Sequence, residues 1–167
     1  LLNFYSKMAD TARKAADTKE FFDPPDVLAA KIKYLAELVK KSKHFVAFTG
    51  AGISTAAGIA DFRSGINTVL DTGAGKWAKE AAVKEGLEKE IKKAKKKTDS
   101  FKAVPTAAHM ALVGLMTTGP KYMKYLISQN TDGLHRRSGI PIDQMSELHG
   151  NRTMEVCKKC GKEYMRD

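Results

Sequence analysis

Residues 44–55 read HFVAFTGAGIST, a short apolar run that ends in two closely spaced glycines. An unbroken apolar run of this length is typical of a strand in a parallel sheet, because both faces of such a strand are covered. Gly50 and Gly52 allow a tight turn and a close approach of a phosphate to the backbone, as in dinucleotide-binding loops. The third glycine of that fingerprint is replaced by Thr55, so the motif by itself also fits a purely structural turn.

Helical and strand patterns alternate on both sides of this segment. Asp23 precedes an apolar periodicity of three to four residues, which predicts a helix with Asp23 as its cap that runs to about Lys41. A second helix is expected to begin near Pro105 and to end at Gly119, and residues 124–128 read as the next strand. This order predicts an α/β fold with a parallel sheet.

Composition and pattern divide the chain into three segments. Residues 1–21 are polar and rich in Ala and Lys and are interpreted as an N-terminal arm. Residues 22–152 carry the α/β pattern, and residues 66–101 within them are interpreted as a Lys-rich insertion on the catalytic face. Residues 153–167 are expected to form the first half of a zinc-ribbon module.

The overall composition excludes several classes of protein. The chain has 167 residues, of which 43% are apolar and 29% charged, so it is neither collagen-like nor wholly disordered. No apolar run approaches the roughly 20 residues that span a bilayer, and the first residues lack the pattern of a secretory signal. We therefore expect a soluble intracellular protein without a membrane partner.

Part of the net charge of +10 comes from one lysine-rich region, residues 84–102, which supplies +4. Eight lysines lie between Lys84 and Lys102. A run of this kind is usually a solvated helix face or a mobile loop, and aromatic residues that would stack on single-stranded nucleic acid do not interleave with it. Proximity to chromatin or nucleic acid stays open on this evidence.

One short segment after the glycine turn combines three kinds of side chain. Asp61, Phe62 and Arg63 offer a carboxylate, an aromatic face that could cover a flat ring, and a guanidinium suited to phosphate or carboxylate groups. The same residues also fit a surface ion pair around a core phenylalanine.

Amide, carboxylate and imidazole groups follow further along. Gln129, Asn130 and Asp132 come directly after the predicted strand 124–128, where open α/β sheets bind ligands. They also fit an ordinary turn. His149 lies next to a flexible glycine and is a candidate general base, since imidazole takes up a proton near neutral pH.

The two cysteines of the chain, Cys157 and Cys160, have the spacing with which two thiolates reach one zinc ion. Short strand patterns at 154–156 and 163–165 flank them, which favours a zinc knuckle over a thioredoxin-like redox pair at the start of a helix. A closed tetrahedral site needs two further ligands. His135 and His149 are the nearby candidates, and neither has convincing spacing.

Taken in order, these motifs resemble the signatures of the sirtuins, the NAD-dependent protein lysine deacylases. The matching segments are GAGIS (50–54), GIADFR (58–63), QNTDGLH (129–135), ELHGN (147–151) and CKKC (157–160). The resemblance covers about residues 22–167 and is strongest to the nuclear class IV branch. It implies the Rossmann-like parallel sheet of the large sirtuin domain, incomplete, with the start of a small zinc-binding domain. Ala60 stands where the family has proline, and Trp77 lies further from Arg63 than the branch's tryptophan does.

The resemblance also implies a role for individual residues. The NAD-binding set would be Gly50, Ala51, Gly52, Ile53, Thr55, Asp61, Phe62, Arg63, Trp77, Gln129 and His149. The catalytic residues would be His149 as the base together with Asn130 and Asp132, and the ligands of a structural zinc would be Cys157 and Cys160.

The activity that the resemblance implies is NAD-dependent removal of acyl groups from protein lysines, histones among them, to give nicotinamide and O-acyl-ADP-ribose in the nucleus. A mono-ADP-ribosyltransferase and a non-catalytic, chromatin-binding zinc module are the alternatives. The second cysteine pair and the returning strands of the family do not occur in these residues. The 167 residues alone are therefore expected to be inactive and to need the missing C-terminal portion.

Overall fold

The computed structural model describes residues 22–66, 68–87, 89, 91 and 98–166. The predicted arm at 1–21 and most of the lysine run between residues 88 and 97 lie outside that part of the chain. Within the described residues, no helix has both the length and the apolar character needed to cross a bilayer. The boundaries of the arm, the insertion and the zinc module stay predictions.

Three parallel strands form the central sheet, in the order β1 (Phe45–Thr49), β2 (Met123–Ser128) and β3 (Met145–Glu147). The predicted α/β fold with a parallel sheet is confirmed. The last residues of the strands are aligned, since Thr49 pairs with Ser128 and Ser128 pairs with Glu147. The chain therefore leaves all three strands at the same edge of the sheet, and the segments that follow them converge there.

Helices connect and cover the strands. Their bounds are α1 Pro25–Lys41, α2 Lys76–Lys84, α3 Ala107–Thr117 and α4 Leu134–Ser138, with 3₁₀ turns at Ala51–Ala57 and Ile142–Gln144. The two helices predicted before β1 and before β2 are both present. No residue of α1 is buried, whereas α3 packs on the sheet.

The predicted cap of the first helix is wrong. The N-cap position is occupied by Pro24, and no side chain caps the helix. Asp23 instead accepts hydrogen bonds from Lys31, with the nearer oxygen 2.7 Å from Nζ. The reason is that Pro25 has no N–H, so a carboxylate at the start of this helix finds fewer backbone donors than usual.

The core lies between the sheet and α3. It is built from buried side chains of the strands, of α3 and of the segment before β3, namely Ala47, Met116, Met123, Leu126, Ile140 and Met145. Thr106 caps α3 in a reciprocal arrangement with His109, which fixes the start of the helix. The apolar face predicted for this helix thus contributes Met116, with Leu112 and Leu115 packed against the core.

A separate antiparallel hairpin ends the described chain. Its strands β4 (Met154–Val156) and β5 (Glu163–Met165) have the predicted bounds, and Met154 pairs with Met165. The turn between them carries Cys157 and Cys160.

Candidate functional site

A cleft of about 810 Å³ opens where the chain leaves β1 and β2. Its size lies in the range of cofactor and ligand pockets. The lining residues are Phe48, Gly50, Ala51, Gly52, Ile59, Ala60, Asp61, Phe62, Arg63, Trp77, Gln129, Asn130, Thr131, Asp132, His149 and Arg152. Segments that are far apart in the sequence are thus brought into one cavity.

The glycine turn forms one part of the cleft wall. A Cβ at Gly52 would meet no atom within 4 Å, so the backbone there is open to a ligand. Ile53 and Thr55, predicted to bind cofactor, do not line the cleft. The hydroxyl of Thr55 donates to the Gly52 carbonyl at 2.9 Å, and the Ile53 carbonyl accepts from Thr106 at 3.1 Å. Both therefore hold the turn in shape.

Asn130 and Asp132 tie the end of β2 to the glycine turn. The Asn130 side-chain amide donates to the Gly50 carbonyl at 3.0 Å. The Asp132 carboxylate accepts from the Ser54 hydroxyl at 2.6 Å and from the Leu134 N–H at 3.0 Å. Both side chains are buried and fully positioned, so the cleft is preorganised between β1 and β2.

Asp61, Phe62, Arg63 and Trp77 form the opposite wall. The backbone N–H of Trp77 donates to the Phe62 backbone carbonyl at 3.1 Å, and the centroids of the two rings lie 5.9 Å apart. The Arg63 guanidinium stands 5.4 Å from the centre of the Trp77 ring. The wall is close-packed, because a Cβ at Gly75 would come within 2.6 Å of the Phe62 backbone. The start of α2 therefore brings the distant tryptophan into the predicted cluster.

His149 lies at the mouth of the cleft with its ring exposed. Its Nδ1 is 3.1 Å from the Gln129 carbonyl. A carbonyl oxygen can only accept, so Nδ1 carries the proton of this bond and the neutral ring presents Nε2 as a free base. The hydrogen bond thus selects the tautomer that general-base catalysis needs.

A largely buried ion pair supports the loop that carries His149, and sequence reasoning missed it. Arg136 and Glu147 lie 2.7 Å apart with side chains only 14% and 9% exposed. Glu147 also accepts from the Asn151 amide at 2.7 Å, and Asn151 in turn accepts from the N–H and hydroxyl of Thr153. Arg136 reaches the hairpin as well, through Glu163 at 3.2 Å. The network joins α4, the His149 loop and the hairpin.

Two buried histidines lie behind the cleft, and sequence reasoning, which considered His135 only as a candidate zinc ligand, did not predict that they pair. The rings of His109 and His135 lie 4.7 Å apart, and His135 Nε2 is 2.8 Å from the Thr49 hydroxyl. Among the described residues, His109 Nε2 and His135 Nδ1 have no hydrogen-bond partner. Burial, and secondarily His109, lowers the pKa of His135 to about 4, while Asp132 acts in the opposite direction. Burial also lowers the pKa of His109.

The His135 pKa predicts that the fold loses stability in acid. The folded state holds this ring neutral, whereas the unfolded chain protonates it near pH 6.5, so stability falls as the pH drops from about 6.5 to about 4. The loss is roughly 3 kcal/mol. Urea unfolding across this range should show that slope, and His135→Gln should flatten it. The exposed His44→Gln is the control, and an unchanged slope in His135→Gln would contradict the assignment.

The cysteine turn has the form of a zinc half-site. The Gly161 N–H donates to the Cys157 carbonyl at 2.8 Å, and backbone hydrogen bonds from Cys160 and Lys159 lower the pKa of the Cys157 thiol. A stabilised thiolate is the form that binds zinc. Within the described ranges no group of three or more His, Cys, Asp or Glu side chains is placed to hold a metal. The turn therefore fits two of four zinc ligands.

Comparison with known proteins identifies the family. Residues 50–167 match the profile of the Sir2 family. The chain is 49% identical over 149 residues to "NAD-dependent protein deacetylase SRT1" of Arabidopsis thaliana, a match covering 89% of this chain and 28% of that protein. It is 39% identical over 152 residues to "NAD-dependent protein deacetylase sirtuin-7" of Homo sapiens, covering 89% and 33%.

Solved structures agree with this match. A structure described as "Sir2-p53 peptide-NAD+" is 30% identical with a TM-score of 0.52, over 80% of this chain and 52% of that one. The chain thus spans about a third of the curated relatives and about half of the solved chain. Because the family profile covers most of its residues and its fold matches Sir2 structures, the chain belongs to the Sir2 family of sirtuins.

Proposed function

We propose that the complete protein removes acyl groups from protein lysine side chains in a reaction that consumes NAD. One observation carries the proposal, namely that a single cleft holds the open glycine turn, the aromatic wall and the His149 imidazole. The names of the relatives, NAD-dependent protein deacetylases, support it. A non-catalytic chromatin-binding module would not require these three features in a single cleft.

The residues of the cleft fit NAD. The open backbone at Gly52 would approach the pyrophosphate, and Arg63 would neutralise part of its charge. Phe62 and Trp77 offer aromatic faces at the same wall, and Gln129 lies across the cleft beside the β2 exit. NAD, when bound, supplies a ribose carbon that gives up nicotinamide and accepts the acyl oxygen of the substrate.

The role of His149 follows from its tautomer. Nδ1 is held by the Gln129 carbonyl, so Nε2 would take up the proton of a ribose hydroxyl. Asn130 and Asp132, whose side chains are fixed by the glycine turn and by Ser54, would orient the nicotinamide end. Their catalytic contribution is positional, since both are already hydrogen-bonded within the protein.

Nicotinamide release tests the proposal directly. The complete protein with NAD and an acetyl-lysine peptide should release nicotinamide and free lysine in equal amounts. Labelled ADP-ribose that appears on protein without loss of the acetyl group would favour the transferase alternative. Failure of both reactions would favour the binding module.

We also propose that Cys157 and Cys160 supply half of a structural zinc site. The complete protein should contain about one zinc per chain, because such a site is a closed tetrahedron. Cys157→Ser should release that zinc and lower the thermal midpoint, whereas the neighbouring Lys158→Gln should change neither. Retention of stoichiometric zinc by Cys157→Ser, measured by atomic emission, would refute the assignment.

Histone or other chromatin substrates and a nuclear location are further proposals, supported by the resemblance to the class IV branch. Microscopy of the tagged complete protein and deacetylation of intact nucleosomes test them.

A further inference from the structure

Arg136 joins the loop of the proposed base to the cysteine hairpin. It lies on α4 with its side chain 14% exposed, and its Nε and one terminal nitrogen contact the same Glu147 oxygen at 2.8 and 2.7 Å. Its other terminal nitrogen lies 3.2 Å from Glu163 on β5. One guanidinium therefore holds the end of β3 and the hairpin together, which its planar fork of donors permits.

The carboxylate of Glu147 closes the loop that carries the imidazole. Its second oxygen accepts from the Asn151 amide at 2.7 Å, so the side chains at the two ends of segment 147–151 are joined. His149 is the middle residue of that segment. Within the described residues, the ring of His149 has one hydrogen bond, from Nδ1 to the Gln129 carbonyl. The position of the ring therefore depends on how firmly Glu147 is held.

The backbone that carries Arg136 is firmly anchored. Leu134 is fully buried, and its N–H donates to the Asp132 carboxylate at 3.0 Å. His135 is 3% exposed and lies 2.8 Å from the Thr49 hydroxyl at the end of β1. The guanidinium thus has a fixed base and an acidic partner at each of two ends. Networks of this kind, built on a rigid element, carry coupling between the segments that they join.

Stability alone gives a weak reason for this ion pair. Taking the Glu147 and Arg136 charges out of water is costly, and a well-packed apolar pair of similar volume is often as stable or more stable. What an ion pair adds is a defined direction, because both of its partners must meet in one geometry. Its place beside the loop of the proposed base therefore favours a role in orientation.

On the basis of the function proposed above, we propose that Arg136 is a positioning residue for His149. It holds Glu147 so that the imidazole keeps its Nδ1 contact and presents Nε2 to the cleft. Through Glu163 it also makes the placement of the imidazole depend on the fold of the cysteine hairpin. Arg136 is not among the residues that line the cleft, so it acts through Glu147 rather than on a ligand.

Steady-state kinetics of the complete protein with NAD and an acetyl-lysine peptide test this role, each variant being assayed well below its thermal midpoint. Arg136→Met should lower kcat by about tenfold to a hundredfold, the scale of a catalytic group displaced by about one ångström. Both KM values should change by less than about threefold, since the lining of the cleft is intact. Arg136→Lys keeps the charge and should recover part of kcat.

The matched control is Arg137→Met, which alters the next residue of the same helix. Arg137 donates to the Ala103 carbonyl at 2.7 Å and has no contact with the His149 loop among the described residues. This variant loses a structural contact of α4 and should retain full kcat. An equal loss of kcat in Arg137→Met and Arg136→Met would overturn the proposal, because any damage to α4 would then have the same effect.

Two glutamates of the hairpin test the link to β5. Glu163→Gln removes the charge of a half-exposed partner and should lower kcat by about twofold to fivefold. In the Arg136→Met background it should have no further effect, because the link is already broken. Glu155→Gln, which alters the pair with Arg166 on the same hairpin, should leave kcat unchanged. An unchanged kcat in Glu163→Gln, or effects that multiply with those of Arg136→Met, would reject the link.

The tautomer of His149 gives a readout that does not need turnover. NMR of the complete protein with isotopically labelled histidine distinguishes the Nδ1–H from the Nε2–H form of the ring. The unaltered protein and Arg137→Met should show Nδ1–H at His149, whereas Arg136→Met should show both forms, because the Gln129 contact is weakened. Normal kcat or an unchanged tautomer in Arg136→Met would overturn the proposal. With deacylation by the unaltered protein intact, either result would leave the proposed function standing and reject this inference alone.

Discussion

His149→Ala in the complete protein is expected to reduce deacylation by about 10²–10⁴-fold, the usual loss when a general base is removed. His149 is exposed, and its hydrogen bond to the Gln129 carbonyl lies at the surface, so the fold should be unaffected. Single-turnover deacylation with saturating NAD measures the loss, and the circular dichroism spectrum and thermal midpoint report on folding.

The matched control for this substitution is His44→Ala, which removes an exposed imidazole that does not line the cleft. It should retain full turnover. Near-normal turnover in His149→Ala with an intact fold would mean that another group, or water, takes the proton. A large loss of turnover in His44→Ala would show that the assay reports on stability rather than on catalysis.

Arg136→Met is expected to destabilise the protein by about 1–3 kcal/mol, because it leaves the largely buried Glu147 carboxylate without its charged partner. Denaturant unfolding followed by fluorescence measures the change. Arg166→Met breaks the exposed pair with Glu155 instead and should cost at most about 1 kcal/mol. The contrast separates a buried ion pair from a surface one in the same protein.

A second substitution makes the Arg136 result interpretable. Replacing both partners, in Arg136→Met with Glu147→Leu, removes the unpaired charge and should recover part of the lost stability. A double variant as unstable as the sum of the single ones would argue that the two residues act independently. Equal costs for Arg136→Met and Arg166→Met would likewise contradict the burial argument.

Local pattern was sufficient for the parts of the fold whose signal is local. The apolar run before Gly50 predicted β1, and the short strand patterns on either side of the cysteines predicted the hairpin with its observed bounds. The order of the motifs predicted the family, and through that resemblance it predicted most of the residues that line the cleft. Within each strand pattern and each motif, the residues that carry the signal lie within a few positions of one another.

The remaining features depend on contacts between distant segments. β3 has only three residues and is defined by its pairing with β2. A segment this short shows no periodicity from which a strand could be predicted. Arg136 gave no signal beyond its charge, and its importance depends on burial beside Glu147. In the sequence, His135 is recognisable only as part of a motif. Its burial depends on packing against His109, which lies 26 residues earlier in the chain. Tertiary burial decides what such side chains do, and a single sequence does not encode it locally.

The aligned strand ends make the lengths of the connections a determinant of the chemistry. Because Glu147 pairs in register with Ser128, a slip of one residue would move His149 along the strand axis by about 3.3 Å and turn Glu147 to the opposite face of the sheet. The short turn before β3 exposes Ile142 to 62%, so its side chains can vary freely. The number of residues in this turn cannot vary, because the turn is a spacer that sets the position of the His149 imidazole.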